Sequence, residues 1–382
     1  MTSTSPSYIY LDHNATTPIR ESVKSAYLSA LNHYGNASSL HQLGQSANGL
    51  LESARLRLAQ YLHTSPEKII FNSSGSEGNN HVLYSLLIHA LQTSIKPHVI
   101  TSRIEHASIK NTLSALSRFG LDVTEVPVST SGHVRLTDIE AAIQPNTGLI
   151  SIILANNEMG AIQPISDICQ LAKSNGILIH TDAVQALGKI PCNIDLYPVD
   201  FMTFSSHKIY APKGTGALYV KSPKDFHAFI HGGSHERELR AGTENIPGIA
   251  AFESAILNLP DQTEWARQRS LLDFIVSELT QSFSSLQVHS DHTNGLPNTL
   301  SLGIDGIDGH ALAINLDLAQ VGVSTGSACA TGSIEPSHVL EAMGISKPLN
   351  SGSIRISIGE STTLSECEHV VKSFIECVRM MQ

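Results

Sequence analysis

Short apolar runs alternate with stretches of helical pattern up to about residue 260. The runs occupy residues 68–71, 98–101, 148–154, 176–180, 199–204 and 216–220. Strand-like runs that alternate with helices predict βαβ units around a mostly parallel sheet. Because the runs are apolar nearly throughout, we expect helices to cover both faces of that sheet. The pattern therefore predicts an α/β fold.

Polar clusters follow five of these runs. Parallel strands of an open sheet bind ligands beyond their carboxyl ends, so the five clusters should converge on one site. That site would hold Gly75 and Ser76, His106, Asn157, Asp182 with Gln185, and Ser205 with His207 and Lys208.

The pattern changes after about residue 260. A helix with the only tryptophan, Trp265, is followed by an apolar segment at 298–304 and a Gly/Ser-rich loop. We predict a large domain over residues 15–258. A smaller α+β domain would comprise residues 1–14 and 259–382.

Composition and charge narrow the range of partners. The 382 residues carry a formal net charge of -10, which argues against nucleic acid or an anionic membrane as the main partner. No apolar run approaches membrane-spanning length, and the polar N-terminus lacks the features of a signal peptide. We therefore expect a cytoplasmic protein that binds small molecules or other proteins.

The five cysteines are odd in number and lack metal-binding spacing, so neither a disulfide framework nor a metal site is expected. Cys169, Cys367 and Cys377 lie in helical patterns and are expected in the core, whereas Cys192 is undecided. Cys329 lies in the Gly/Ser-rich loop at 324–333. An accessible thiol there suits a nucleophile that must move. A cysteine that lies in this loop without a function is the alternative.

Two of the polar clusters contain residues that suit contacts with a ligand. Gly75 and Ser76 lie between a strand and a helix, where backbone N–H groups cradle phosphate; an ordinary helix cap is the alternative. Lys208 follows a strand directly, which suits an amine that forms a Schiff base, and a solvated lysine is the alternative. Each signal is weak alone, but together they favour a ligand site.

Three further side chains would complete that site. Asp182 suits the partner of a pyridinium nitrogen, or else a helix cap. His106 would stack on the ring and exchange protons; a satisfied imidazole is the alternative. Arg355 alternates with apolar residues, so its guanidinium would point inward and grip a substrate carboxylate.

These residues resemble the cysteine desulfurases, NifS- and IscS-like members of the class V aminotransferase family. The resemblance runs from Leu11-Asp12-His13-Asn14-Ala15-Thr16-Thr17-Pro18 to Ser353-Ile354-Arg355. It implies the type I fold of enzymes that depend on pyridoxal 5'-phosphate. The loop 324–330 resembles the long loop of group I.

The resemblance also implies individual roles. The phosphate would be held by Gly75, Ser76, Ser205 and His207, and by Thr243 from the neighbouring subunit of a homodimer. The ring hydroxyl would contact Asn157 and Gln185, the ring nitrogen Asp182, and the ring face His106. Lys208 would carry the cofactor. The substrate carboxylate would bind Arg355, with Asn36 as a second contact.

In this family the loop cysteine takes sulfur from L-cysteine, leaving alanine and an enzyme persulfide, here on Cys329. The sulfur then passes to an acceptor protein, such as an iron-sulfur scaffold or a tRNA-thiolation protein. Housekeeping members usually continue into a tail that docks the scaffold, whereas this sequence stops at Gln382. We therefore expect weaker docking to such a scaffold.

Other activities remain open at this stage. Aminotransfer, selenocysteine lysis and simple C–S lysis are alternatives, but none of them needs a protein thiol. A catalytically silent binding protein is a further alternative, against which the set of Lys208, Asp182, His106 and Cys329 argues.

Overall fold

The computed structural model describes residues 8–93, 96–326 and 336–382. The predicted nucleophile Cys329 lies outside these residues. The strands are β1 (Ile9–Tyr10), β2 (Ile69–Asn72), β3 (His98–Ser102), β4 (Asp122–Val126), β5 (Thr147–Ser151), β6 (Leu178–Asp182), β7 (Phe201–Ser205), β8 (Gly216–Val220), β9 (Leu286–Val288), β10 (Thr299–Ile304), β11 (Val321–Gly322), β12 (Ser324–Thr325) and β13 (Ser353–Ser357).

The helices are α1 (Glu21–Ala30), α2 (Gln42–Tyr61), α3 (Gly75–Thr93), α4 (Ala107–Ser117), α5 (Leu136–Ala142), α6 (Ile165–Ser174), α7 (Ile246–Leu257), α8 (Gln262–Ser282), α9 (Gly309–Leu318), α10 (His338–Ala342), α11 (Lys347–Ser351) and α12 (Leu364–Met381). Short 3-10 turns occupy Pro66–Lys68, Ser206–Lys208, Pro223–Asp225 and His235–Glu238.

The large sheet has seven strands in the order β2-β8-β7-β6-β5-β3-β4. Strands β4, β3, β5, β6 and β7 are parallel, and β8 is antiparallel to both β7 and β2. The α/β fold with a mostly parallel sheet is thus confirmed. All six predicted apolar runs overlap strands of this sheet.

Alternate strand residues face two separate apolar clusters. In β2, Ile69 and Phe71 pack into one cluster, while Ile70 packs into the other with α3 and α4 residues. Side chains along a strand point alternately to opposite faces, so both faces of this sheet are buried. This arrangement leaves the carboxyl ends of the strands as the open edge.

A third cluster joins the two ends of the chain. Ile9 and Leu11 pack with residues of α8, β10, β13 and α12. The antiparallel sheet β12-β13-β10-β9 lies within this part of the chain. The exact domain boundaries at residues 14 and 258 stay a prediction.

Side-chain caps begin several helices of the C-terminal part. Asp261 accepts from two backbone N–H groups of α8, and Asp308 does the same for α9. Thr363 and Glu366 form a reciprocal capping box at the start of α12. Such caps satisfy N–H groups that have no partner within the helix. Among the described residues, no helix has the length and apolar character that crossing a membrane requires.

Candidate active site

A cavity of about 360 Å³ opens beside the carboxyl ends of the parallel strands. Ten of the predicted site residues line it, namely Gly75, Ser76, His106, Asn157, Asp182, Gln185, Ser205, His207, Lys208 and Arg355. They come from distant parts of the sequence. Their convergence is what the polar clusters after the apolar runs predicted.

The N-terminus of α3 forms one wall of the cavity. A Cβ atom added to Gly75 would lie 2.6 Å from Cγ2 of Val184, so a side chain at residue 75 would clash with the segment that follows β6. Ser74 also lines the cavity, and its Oγ accepts from the N–H of Glu77 at 3.1 Å. Because the backbone N–H groups of a helix N-terminus attract anions, this wall suits a phosphate.

Asp182 ends β6, and its carboxylate is held at both oxygens. Asn79 donates from Nδ2 to Oδ2 at 2.7 Å, and the N–H of Val184 donates to Oδ1 at 3.0 Å. Asp182 and Asn79 are almost completely buried. A carboxylate fixed in this way can pair with a cationic ring nitrogen at the cavity.

Lys208 lies in the 3-10 turn after β7. Its Nζ donates to the backbone oxygens of Asn14 at 2.5 Å and Ala15 at 2.7 Å. The neighbouring His207 contacts Thr16 through Nδ1 at 3.2 Å. Burial lowers the pKa of His207 to about 4, and nearby lysine charges add to the effect, so this ring is neutral at pH 7.

Lys189 is a second buried amine beside the cavity, and the sequence did not reveal it. Its Nζ donates to Oε1 of Gln185 at 2.5 Å and to Oδ1 of Asn14 at 2.9 Å. Gln185 in turn donates from Nε2 to the backbone oxygen of Asn14. Burial, reinforced by the charges of Lys208 and Arg355, lowers the pKa of Lys189 well below its ordinary 10.5. Lys189 therefore fixes which end of the Gln185 amide is the acceptor.

Arg355, in β13, points inward as its alternating pattern predicted. Its Nη1 donates to the backbone oxygen of Asn157 at 3.0 Å, and its Nη2 donates to Oδ1 of Asp12 at 2.6 Å. The Arg355 side chain is 3% exposed. The guanidinium therefore lies at the cavity wall with its direction set by two partners.

Two buried acids lie next to the site. Burial raises the pKa of Glu105 to about 8 and that of Glu158 to about 7. Glu105 accepts at Oε1 from Ser102 Oγ at 2.5 Å and from the N–H of Ile153 at 3.0 Å. Glu158 accepts from Ser337. Neither acid was singled out in the sequence, because burial is a tertiary property.

Asn14 forms hydrogen bonds with several residues at or beside the cavity, although the sequence analysis gave it no role. Besides its contacts with both lysines, its Nδ2 donates to the backbone oxygen of Asn157 at 3.1 Å and to Thr299 Oγ1 at 2.8 Å. The signal was available, since Asn14 belongs to the motif at 11–18, but it carried no chemical role there. Asp12 and Asn79 likewise lay in polar segments without an assigned role, whereas Ser108 belonged to none of the segments singled out in the sequence.

Three predicted residues are not brought into this cavity. Asn36 is exposed and accepts from the N–H of Ser38. Thr243 lines a separate cavity of about 130 Å³ with Glu236 and Arg240. Cys329 is outside the described residues. The roles of all three stay predictions.

The four described cysteines are buried and unpaired. Burial raises the thiol pKa of Cys169 and Cys192 to about 12 and that of Cys367 to about 11. Cys169, Cys367 and Cys377 lie in helices, as expected. A thiol held protonated inside the core is a poor nucleophile.

Comparison with known proteins identifies the class of this protein. The class-V aminotransferase family model matches residues 9–370. The chain belongs to this family, whose members depend on pyridoxal 5'-phosphate.

Its relatives within the family are named cysteine desulfurases. Cysteine desulfurase IscS of Dictyoglomus turgidum is 40% identical over 97% of this chain and 95% of its own length. A cysteine desulfurase of Nostoc sp. is 38% identical over 98% of this chain and 94% of its own. The structure of a NifS-like protein has a TM-score of 0.90 at 34% identity, covering 98% of this chain and 100% of that one. The structure of SspA in complex with cysteine has a TM-score of 0.83 at 33% identity, covering 93% and 100%.

The cavity fits this cofactor. It offers an amine in Lys208, a fixed carboxylate in Asp182 and the N-terminus of α3, which suit an aldehyde, a pyridine nitrogen and a phosphate. Two buried polar atoms, Asn79 Oδ1 and Arg355 Nε, have no hydrogen-bond partner among the described residues. Buried polar atoms are normally paired, and a polar ligand in the cavity would supply partners for these two.

Proposed function

We propose that this protein is a cysteine desulfurase that converts L-cysteine to L-alanine and holds the sulfur as a persulfide on Cys329. The observation that carries the proposal is the single cavity in which Lys208, Asp182, His106 and Arg355 meet. Similarity to cysteine desulfurases over nearly the whole chain supports the same activity.

We assign the cofactor contacts as follows. Lys208 holds the cofactor covalently, and Asp182 pairs with its ring nitrogen. Asn157 and Gln185 contact the ring hydroxyl, and the phosphate binds Gly75, Ser76, Ser205 and His207. When bound, the cofactor supplies an electron sink for charge that develops on the substrate.

The substrate carboxylate binds Arg355, whose buried guanidinium retains N–H groups beyond those used by Asn157 and Asp12. Asn36 is proposed to assist. His106 accepts a proton from the substrate and returns one to it.

Cys329 then acts as the nucleophile. Its thiolate attacks the sulfur of the substrate, the carbon–sulfur bond breaks, and a proton is delivered to the carbon that loses sulfur. The sum is cysteine plus a protein thiol giving alanine plus a protein persulfide, so no external oxidant or reductant is needed. The burial of the other four thiols supports this assignment.

A homodimer with shared sites is part of the proposal. Thr243 lines a separate cavity of its own chain rather than the one that holds Lys208, and this supports a contact with the phosphate of a second copy. The segment that contains Thr243 is held against the N-terminal part of α3, since Arg240 donates from Nε to Glu77 Oε1 at 2.8 Å. A cytoplasmic location and sulfur transfer to an iron-sulfur scaffold or tRNA-thiolation protein complete the proposal.

The decisive experiment is to incubate purified protein with L-cysteine and to measure alanine together with protein-bound persulfide. The Cys329→Ser variant should bind cofactor but form almost no alanine or persulfide, because a serine hydroxyl is a poor nucleophile at neutral pH. Cys377→Ala, which removes a buried thiol, is the matched control and should keep both products. Turnover by Cys329→Ser at the parent rate would leave a simple C–S lyase as the better explanation.

A further inference from the structure

A continuous chain of hydrogen bonds joins Asp182 to His106 through two side chains without an assigned role. Asn79 Nδ2 donates to Asp182 Oδ2 at 2.7 Å, and the same nitrogen lies 2.9 Å from Ser108 Oγ. Ser108 Oγ lies 2.8 Å from His106 Nδ1. The two ends of this network are His106, the N-cap residue of α4, and Asp182 of β6, and both line the cavity.

The direction of each bond follows from the donor and acceptor properties of the groups. A carboxylate oxygen only accepts, so the NH2 group of Asn79 must face Asp182. The second hydrogen of that NH2 group then points to Ser108 Oγ, which accepts it. The hydroxyl hydrogen of Ser108 is left to be donated to His106 Nδ1.

A second donor reaches the same ring nitrogen. His106 is the N-cap residue of α4, and the backbone N–H of Ser108 donates to His106 Nδ1 at 3.1 Å. A ring nitrogen that accepts cannot itself carry the proton. A neutral His106 ring is therefore the tautomer with its proton on Nε2.

We propose that Asn79 and Ser108 are positioning residues that tie His106 to Asp182 and fix the His106 proton on Nε2. Helix capping alone does not explain the arrangement, because the backbone N–H of residue 108 caps through His106 whatever its side chain. Asn79 is 1% exposed and Asp182 is 4% exposed. Ser108 and His106 are half-buried, so the network runs from a buried end at Asp182 to the cavity surface. At the buried end, where water is excluded, linked hydrogen bonds strengthen one another.

The functional part of this inference rests on the proposed function. The residue that exchanges protons with the substrate and the residue that pairs with the cofactor ring would be held in one fixed arrangement. A change at one end then reaches the other through Asn79 and Ser108. The His106 ring would therefore already be oriented for proton transfer before the substrate binds.

The test uses nitrogen NMR of the protein without cofactor, with its histidines labelled with nitrogen-15. The His106 signals are assigned by their loss in His106→Gln. The parent should show a protonated Nε2 and a hydrogen-bonded, unprotonated Nδ1. In Ser108→Ala the Nδ1 signal should move toward that of a nitrogen with fewer hydrogen bonds, while Ser108→Thr, which keeps the hydroxyl, and the exposed Ser114→Ala on the same helix should match the parent.

A double-mutant cycle tests the link to Asp182. Asp182→Asn should shift the Nδ1 signal of His106 when Ser108 is present and leave it unchanged in the Ser108→Ala background. In turnover assays Ser108→Ala should lower kcat by about 10-fold, with KM within about twofold, since positioned proton transfer contributes on the order of 100-fold or more.

A proton on Nδ1 in the parent, or an Nδ1 signal that is the same in the parent and Ser108→Ala, would overturn the inference. These outcomes are independent of the proposed function, because they are read in the protein without cofactor. If the NMR results are as expected and L-cysteine is not converted, the proposed function fails while the positioning network stands.

Discussion

Arg355 and Asp12, which lie 343 positions apart, form a 2.6 Å charge-assisted hydrogen bond at the wall of the cavity. The carboxylate balances part of the guanidinium charge before any ligand arrives. It also fixes the plane of the guanidinium, together with the backbone oxygen of Asn157. Under the proposed function, Asp12 therefore has two opposing effects on substrate binding, since it orients Arg355 and also neutralises part of its charge.

Replacing Arg355 should impair substrate binding. We expect Arg355→Lys to raise KM for L-cysteine by about 10-fold or more, because lysine lacks the planar fork and charged hydrogen bonds contribute roughly 1.5–3 kcal/mol. Asp12→Asn should lower KM instead, since the arginine charge is then unbalanced. Steady-state kinetics measure both, with the exposed Arg57→Lys as control. Equal KM values for the parent and Arg355→Lys would exclude Arg355 as the carboxylate anchor.

Lys208 should be the point of covalent attachment for the cofactor. The parent protein should be yellow, and borohydride reduction should leave the cofactor mass on the peptide that contains Lys208. Lys208→Ala should lose this reducible link, whereas Lys221→Ala, an exposed lysine paired with Asp200, should keep it. Peptide mass spectrometry distinguishes the two. A reducible link that persists in Lys208→Ala would show that another amine is used.

Glu105 should make the stability of the protein depend on pH. Burial raises its pKa to about 8, so between about pH 4.5 and 8 the folded state binds a proton that the unfolded state has released. This contribution to the free energy of unfolding is full below about pH 4.5 and falls by about 1.4 kcal/mol per pH unit between about pH 4.5 and 8. Glu105→Gln, which cannot ionise, should remove that fall.

Chemical denaturation at pH 5 and pH 8 measures the effect. Relative to the parent, Glu105→Gln should be more stable at pH 8 than at pH 5. Glu140→Gln, an exposed residue of α5, should show no such difference. An equal effect of Glu105→Gln at both pH values would mean that Glu105 is ionised in the folded protein throughout this range.

Thr243 should act on the cofactor of a second subunit. If so, mixed dimers of Lys208→Ala and Thr243→Ala chains contain one site with both residues intact. At limiting cofactor, random mixing should then restore about a quarter of the parent activity, because half of the dimers are mixed and each has one good site. Thr243→Ala alone should bind cofactor about 10-fold more weakly. No gain of activity on mixing would place Thr243 outside the partner's site.

The strand predictions show that an apolar run indicates burial more directly than it indicates a strand. All six runs overlap strands of the large sheet, but the run at 148–154 continues past the end of β5 at Ser151. Ile152, Ile153 and Leu154 are buried without belonging to that strand. Strand β4, with the sequence DVTEV, was missed because it is the edge of the sheet and mostly half-buried. Apolarity measures burial, and burial only partly coincides with strand pairing.

The class of the fold and the chemistry at the strand ends could be predicted from sequence patterns. Periodicity and strand-end chemistry are local properties, so Asp182, His106 and Lys208 are recognisable in the sequence. The orientation of these side chains depends on tertiary contacts. The carbonyl of Asn14 that receives Lys208, the pairing of Asp12 with Arg355 and the buried amine of Lys189 join segments far apart in the chain. Such contacts depend on how the first residues pack against the C-terminal part, and no local pattern encodes that packing.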